Sequence, residues 1–157
     1  MKALIGLDWA LPSSYEDLKE NQSLLTVAYW SSKIGLLRYF PESFYIKNST
    51  LIESERKQYK LLAYKQLMSQ AMLHESQAVK ENAKKVPSNI NPKIPTLLLV
   101  SNGQGTSFSQ SEWQHFAEEF ASEQSNVKVI YMDVPHDLYH YQNHEVVSRI
   151  EDFLKSN

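Results

Sequence analysis

The histidine at position 136 is the side chain in this sequence with the clearest chemical setting. It follows an apolar strand pattern, VKVIYM (127–132), and precedes an amphipathic helix pattern that runs to residue 154. Imidazole changes its charge near neutral pH, so it can take up a proton and return it. In an open parallel sheet, catalytic groups gather at the carboxyl ends of the strands. His136 is therefore a candidate general base, with a solvated surface histidine as the alternative.

A carboxylate that could orient this base follows the first strand pattern. Residues 3–7 form a short apolar run, as a strand buried on both faces requires, and Asp8 comes next. A carboxylate beside an imidazole fixes its tautomer and stabilises its protonated form. We therefore expect Asp8 to be the acid partner of His136, with a cap of the following turn as the alternative.

Two further patterns near these residues suggest binding sites of other kinds. His136, His140 and His144 are spaced by four residues, but the pattern lacks a carboxylate in the right place for a metal site. The loop NGQGTS contains part of a dinucleotide fingerprint, but Phe108 stands where the third glycine belongs. We expect a turn with positive φ at its glycines, and neither a metal nor a cofactor.

The elements that must position these residues alternate between strands and helices. Strands are predicted at 3–7, 96–101 and 127–132, because each range is almost wholly apolar. Ser109 and Glu112 have the spacing of a capping box, and the helix they begin has a core face at Trp113, Phe116, Ala117 and Phe120. The last helix has a buried stripe at Val146, Val147, Ile150, Phe153 and Leu154. This order predicts an α/β fold with a parallel sheet of three core strands flanked by helices.

The residues between the first two strands read as helical and end in a linker. One helix has a face formed by Leu24, Val27, Ala28, Ser31, Ile34 and Leu37, and Pro41 ends it. A second helix begins at Thr50, which forms a capping box with Glu53, and a third lies around 68–83. Three prolines in PSNINPKIP (87–95) indicate the linker.

Composition excludes several classes of partner. Sixteen basic and eighteen acidic residues, without a basic run longer than two, do not suit a nucleic-acid surface. The first residues, MKALIGLDWALP, form too short an apolar run for a signal peptide or a membrane span. The absence of cysteine fits a reducing compartment. We expect a soluble, cytoplasmic protein that binds neither nucleic acid nor membranes.

The order of elements and the residues around them resemble the carboxyl-terminal half of the α/β-hydrolase family. The matching features are a strand followed by a helical cap, a Pro-introduced strand (KIPTLLLVSNG), and a last strand whose turn carries a histidine. The resemblance implies hydrolase core at residues 1–8 and 93–157 and a helical cap insert with linker at residues 9–92. His136 stands where the family has its base. Most members carry the acid on the loop that corresponds to residues 101–105, but none of these residues can ionise here. Some members carry the acid after the preceding core strand instead, and Asp8 stands at that position.

The function implied by the resemblance is hydrolysis of a small, apolar ester or related acyl substrate by a serine-type mechanism. Within the cap, aromatic side chains would line the substrate pocket, and we expect this role for Trp9, Tyr29, Trp30 and Tyr39. No G-x-S-x-G pattern occurs in the 157 residues, so we expect an upstream nucleophile half and an inactive chain without it. The alternative is a non-catalytic module that binds an apolar ligand or partner. In either case the strand at 3–7 would expose an edge through which copies could associate.

Overall fold

A sheet of three parallel strands is the framework of the chain's core. The structure is a computed structural model, and it describes residues 2–19, 21–39, 51–66, 68–86 and 93–157. Within these residues, the strands are β1 (Leu4–Leu7), β2 (Thr96–Val100) and β3 (Val127–Tyr131), in the order β1-β2-β3. All pairings are parallel, so the three carboxyl ends meet at one edge of the sheet. The predicted strands and the predicted α/β class are confirmed.

Helices occupy most of the remaining described residues. They are α1 (Pro12–Asp17), α2 (Gln22–Lys33), a 3₁₀ helix (Leu36–Tyr39), α3 (Glu53–Gln66), α4 (Gln70–Ala83), α5 (Gln110–Ser122), α6 (Leu138–Tyr141) and α7 (Asn143–Ser156). The third predicted helix of the insert, around 68–83, corresponds to α4. The predicted capping box at Thr50 lies outside the described residues.

The central strand β2 is buried at all five positions because helices cover both of its faces. On one face, Leu97 and Leu99 pack with Val146 and Phe153 of α7. On the other face lie Leu98 and Val100 with three buried residues of α5, namely Trp113, Phe116 and Ala117. Alternate residues of a strand point to opposite faces, which explains why neighbouring leucines belong to different clusters.

Helix α5 begins as predicted. Ser109 accepts a hydrogen bond from the backbone N–H of Glu112, and the Glu112 carboxylate accepts one from the backbone N–H of Ser109. This reciprocal pair satisfies two of the N–H groups that a helix leaves unpaired at its start. The box thereby fixes where Trp113 enters the helix, one residue after Glu112.

Part of the predicted stripe on α7 is wrong. Val146 and Phe153 are buried and Ile150 packs against them, but Val147 and Leu154 are half exposed. Positions 146, 150 and 153 follow the helical spacing of four and three residues, so they share one line along the helix. Val147 and Leu154 lie one position further around the helix, and this rotation turns them towards solvent.

The absence of a side chain at Gly6 allows Leu98 and the Trp9 ring to lie close to the backbone of β1. A Cβ atom built on Gly6 would lie 2.7 Å from Cδ2 of Leu98 and 2.8 Å from the Trp9 ring. Real Cβ atoms do not come so close, so a larger residue would displace the neighbouring strand or the indole. Trp9 therefore packs across the backbone of β1.

The chain divides into two compact units. One comprises Met1–Leu18 with Ala83–Asn157, and the other comprises Lys19–Asn82. In the second unit, Leu24, Val27 and Ile34 of the predicted helix face are largely exposed. The assignment of residues 9–92 to a cap insert stays a prediction. Among the described helices, none has the length and apolar character needed to cross a membrane.

Candidate functional site

The two predicted catalytic side chains meet at the carboxyl edge of the sheet. Nδ1 of His136, in the turn after β3, lies 2.5 Å from Oδ2 of Asp8, the residue after β1. The Asp8 side chain is only 1% exposed, whereas the His136 side chain is 35% exposed. The carboxylate is therefore held inside the protein while the imidazole reaches the surface.

The second oxygen of Asp8 also accepts two hydrogen bonds. Oδ1 accepts one from the backbone N–H of Ser101 (2.6 Å) and one from the indole N–H of Trp113 (2.8 Å). Burial raises the pKa of the Asp8 carboxyl, but the hydrogen bonds from His136, Ser101 and Trp113 outweigh it. They lower the pKa below its ordinary value of 3.8, so Asp8 is charged at neutral pH.

Asp8 has an uncommon backbone conformation that places its side chain under the loop after β2. Its φ angle is +53°, in the left-handed region, where aspartate and asparagine occur more readily than other residues with a Cβ atom. The backbone N–H of Asp8 still donates to the carbonyl of Leu99 (2.8 Å). The chain thus keeps its pairing with β2 while it turns the carboxylate towards Ser101.

His136 is held at its backbone as well as at its ring. Its N–H donates to the carbonyl of Gln104 (2.8 Å). The hydrogen bond with Asp8 raises the pKa of His136 above its ordinary value of 6.5; partial burial opposes this, and the negative charges of Asp8 and Asp137 add to the rise. Among the described residues, Nε2 has no hydrogen-bond partner, so it is the ring nitrogen that can act on another molecule.

The loop after β2 is ordered by its own hydrogen bonds. Ser101 Oγ accepts from the N–H of Gly103 (3.0 Å), and the Asn102 N–H donates to the carbonyl of Val134 in the neighbouring loop (3.0 Å). Gly103 and Gly105 have φ angles of +78° and +97°, as predicted for a turn. The loop therefore contributes its shape and its N–H groups to the site, and no ionisable side chain.

A cavity of about 180 Å³ lies beside His136. Its lining combines residues 10–18 with the loop after β2 and the start of α5. The lining residues are Ala10, Ser14, Tyr15, Leu18, Gly105, Thr106, Ser107, Phe108, Trp113 and His136. The hydroxyls of Ser14 and Thr106 donate to backbone carbonyls, so their protons are already engaged within the protein.

Two larger cavities in the same unit lie away from the Asp8–His136 pair. One of about 410 Å³ has Glu16, Lys84 and Glu119 in its wall, and one of about 290 Å³ has Lys93 and Lys128. Neither is lined by Asp8 or His136. The cavity beside the imidazole is therefore the one that belongs to the candidate site.

The predicted substrate-binding aromatics are divided between the two compact units: Trp9 is in the unit that carries the cavity, and Tyr29, Trp30 and Tyr39 are in the other. Trp9 packs on Gly6 and does not line the cavity. Tyr29 and Trp30 are neighbours on α2, with ring centroids 5.4 Å apart, and Tyr39 is largely exposed at the end of the 3₁₀ helix. Their role in binding stays a prediction.

The histidine cluster does not form a metal site in the part of the chain that the structure describes. No group of three or more histidine, aspartate or glutamate side chains lies together there in a metal-binding arrangement. The His140 ring instead lies against Tyr139, with centroids 4.3 Å apart, and His144 is exposed on α7.

Sequence reasoning missed two residues of the site. The apolar spacing predicts Trp113 on the core face of α5 but no contact between its indole N–H and Asp8. The sequence marks Phe108 only as the residue that breaks a glycine motif, yet Phe108 lines the cavity and stacks on Trp113 with centroids 5.9 Å apart. A signal for Trp113 existed, because a buried indole N–H needs an acceptor and Asp8 ends a neighbouring strand.

The fold is similar to that of a known α/β-hydrolase-fold enzyme. MenH from S. aureus superposes with a TM-score of 0.53 over 99% of this chain and 59% of the MenH chain, at 15% sequence identity. At this identity the likeness shows the fold alone. The chain, with its three parallel strands flanked by helices, is thus consistent with a partial α/β-hydrolase fold.

One curated relative matches almost the whole chain in sequence. It is the uncharacterized protein YbdG of Bacillus subtilis (strain 168), which is 26% identical over an alignment of 165 positions. The alignment covers 99% of this chain and 51% of YbdG. The chain therefore spans about half the length of this relative. No protein-family model matches the chain.

Proposed function

Because the chain has a hydrolase-like fold, we propose that it supplies the base and the orienting acid of a serine-type hydrolase. In this proposal, Nε2 of His136 takes the proton of a serine hydroxyl as the serine attacks an acyl carbon. The same nitrogen then returns the proton to the leaving group. Asp8 keeps the ring in the tautomer with the proton on Nδ1 and stabilises the imidazolium that forms.

The observation that carries the proposal is the contact between Asp8 and His136. The carboxylate accepts hydrogen bonds at both of its oxygens, and the imidazole keeps Nε2 available. A base of this kind needs an orienting partner on one nitrogen and free access to the other. The contact favours a hydrolase over the non-catalytic module, which gives no reason for a carboxylate buried against a surface imidazole.

We place the nucleophile outside the 157 residues, in a further segment of the natural polypeptide or in a partner chain. The sequence contains no G-x-S-x-G pattern, which is the motif that presents such a serine in this fold. The 157-residue chain is then inactive without that segment, because the pair has only water to activate. A cytoplasmic location is part of the same proposal and agrees with a chain that has no cysteine.

The substrate we propose is an ester with a small, apolar acyl or leaving group. The cavity beside His136 has a volume of about 180 Å³ and aromatic walls at Phe108 and Trp113. An apolar cavity of roughly 150 Å³ holds one benzene molecule, so this space suits one ring or a short branched chain. Because the hydroxyls of Ser14 and Thr106 already donate to the backbone, they are less able to replace the water that a strongly polar group would lose on entering.

The test uses the natural polypeptide that contains this chain, isolated from its source cells with an antibody. Phenyl acetate is the substrate, and a fluorophosphonate probe reports a reactive serine. His136→Ala should lower turnover by at least about a thousandfold and abolish labelling, since an unassisted serine is a poor nucleophile. His144→Ala, which removes an exposed histidine on α7, is the matched control and should keep full activity.

Two results would contradict the proposal. Equal turnover by the His136→Ala variant would exclude His136 as the base. Hydrolysis by the purified 157-residue chain that depends on His136 would show that the nucleophile lies within these residues.

A further inference from the structure

We propose that Trp113 is a positioning residue that holds Asp8 and His136 in one fixed arrangement; its catalytic importance rests on the proposed function. The indole of Trp113 contacts both members of the pair. It would act through them, without touching the substrate's reacting atoms itself.

The first contact decides which carboxylate oxygen His136 receives. The indole N–H of Trp113 donates to Oδ1 of Asp8 at 2.8 Å, and the N–H of Ser101 donates to the same oxygen at 2.6 Å. Two donors on Oδ1 fix the rotation of the carboxylate about its Cβ–Cγ bond. Oδ2 is then the oxygen that faces Nδ1 of His136.

The second contact restricts the imidazole. The rings of Trp113 and His136 stand edge to face, with centroids 6.0 Å apart and planes at 90°. The backbone of His136 is anchored to Gln104 at the same time. An imidazole held at its backbone, at Nδ1 and by an aromatic neighbour has few other orientations.

The indole itself is rigid enough for this role. Trp113 is 5% exposed, and its ring packs between Phe108 (5.9 Å, stacked) and Phe116 (6.5 Å, edge to face). Gly103 leaves room for it, since a Cβ atom at position 103 would lie 3.1 Å from Cβ of Trp113. The capping box of α5 fixes the backbone one residue earlier. The donor on Asp8 is therefore preorganised.

The test is the ring tautomer of His136, measured by ¹⁵N NMR on the 157-residue chain at a pH where the ring is neutral. Trp113→Phe keeps an aromatic side chain and removes the N–H donor. We expect the ratio of the Nε2–H to the Nδ1–H tautomer to rise by about tenfold, because a carboxylate that is free to rotate loses its alignment with Nδ1 of His136. The pKa of Asp8 should rise in the same variant, because one of the hydrogen bonds that lower it is removed.

Phe120→Leu is the matched control. Phe120 lies on the same helix and packs against the same apolar cluster, but it donates no hydrogen bond to Asp8. The tautomer ratio should stay at the wild-type value in this variant. A folded Trp113→Phe chain with an unchanged ratio, or an equal shift in Phe120→Leu, would overturn the inference.

If the Trp113→Phe chain does not fold, the inference can still be tested by NMR on the wild-type chain. The indole proton of Trp113 should shift and exchange faster with solvent at the pH where the Asp8 carboxyl becomes protonated. An indole proton that ignores this titration would overturn the inference. The tautomer measurement does not depend on hydrolysis, so the two proposals can fail separately. A tautomer shift in Trp113→Phe together with full activity of His136→Ala would refute the proposed function and leave the positioning of the pair intact.

Discussion

Nδ1 of His136 lies 2.5 Å from Oδ2 of Asp8, although 128 positions separate the two residues in the chain. Their strands, β3 and β1, are not direct neighbours, since β2 lies between them. The two side chains meet above the end of β2, where the loop that begins at Ser101 provides a backbone N–H for the carboxylate. The site thus depends on all three strands ending at one edge.

The pKa of His136 should lie above 6.5 in the folded chain, because the Asp8 carboxylate stabilises the imidazolium. A base acts in its neutral form, so turnover by the natural polypeptide should rise with pH through this raised pKa. NMR titration of the histidine ring protons measures it, and His136→Ala assigns the signal. Asp8→Asn should return the pKa towards 6.5 or below; a titration that is the same in both chains would contradict the assignment of cause.

The Asp8–His136 pair should stabilise the fold fully only between two pH limits, a lower one set by Asp8 and an upper one set by His136. Asp8 has a folded pKa below 3.8, so its contribution is complete above pH 3.8 and is lost as the pH falls through the folded value. His136 has a folded pKa above 6.5, so its contribution is complete below pH 6.5 and is lost as the pH rises through the folded value. Urea unfolding of wild type and Asp8→Asn should differ most between these limits, and a difference that is constant with pH would refute the linkage.

Asp8→Asn and Asp8→Ala should separate the effect of the Asp8 charge from the effect of its left-handed backbone conformation. Asparagine tolerates the φ angle of +53° and can still accept from Ser101 and Trp113, but its amide NH₂ would face His136 and drive the ring proton to Nε2. Asp8→Ala adds backbone strain and leaves two buried donors unpaired. We expect it to reduce the free energy of unfolding by about 1–3 kcal/mol more than Asp8→Asn. Equal unfolding free energies would mean that the left-handed backbone relaxes without cost.

The edge of β1 should allow copies of the 157-residue chain to associate. In the described sheet, β1 is paired on one side only, with β2, and Leu7 is partly exposed. A charge on an edge strand opposes pairing with another copy, so Leu7→Lys should weaken self-association by roughly tenfold. Sedimentation equilibrium measures it. Leu154→Lys makes the same charge change on an exposed position of α7, away from the sheet, and should have no effect.

The sequence was informative about the fold where apolar runs and helix caps are strong. The runs before Asp8 and Ser101 and the box at Ser109 and Glu112 predicted strands and a helix start that the structure confirms. Apolar patterns were less informative about which side of a helix faces the core. The apolar spacing predicts Val147 in the buried stripe of α7, but the same spacing fits either of two adjacent lines along a helix. Packing against β2 selects the line of Val146 and Phe153.

For the site, the sequence could indicate Asp8 and His136 because the ends of parallel strands converge. It could not indicate the donors on Oδ1. Those depend on the left-handed turn at Asp8 and on the angle at which α5 leaves the loop, and both are tertiary properties. The aromatics Tyr29, Trp30 and Tyr39 have no local signal that distinguishes a binding surface from an exposed helix, so their assignment stays a prediction.

The edge-to-face contact between Trp113 and His136 also gives the chain an optical reporter. A protonated imidazole quenches the emission of an indole in contact with it, whereas a neutral imidazole does so much less. Of the three tryptophans, Trp113 is 5% exposed and contacts His136, whereas Trp9 and Trp30 are 38% and 62% exposed, so the most blue-shifted part of the emission belongs mainly to the indole beside the base. Proton uptake at Nε2 should therefore be visible as a loss of fluorescence, which makes the charge state of His136 readable in dilute solution without any label.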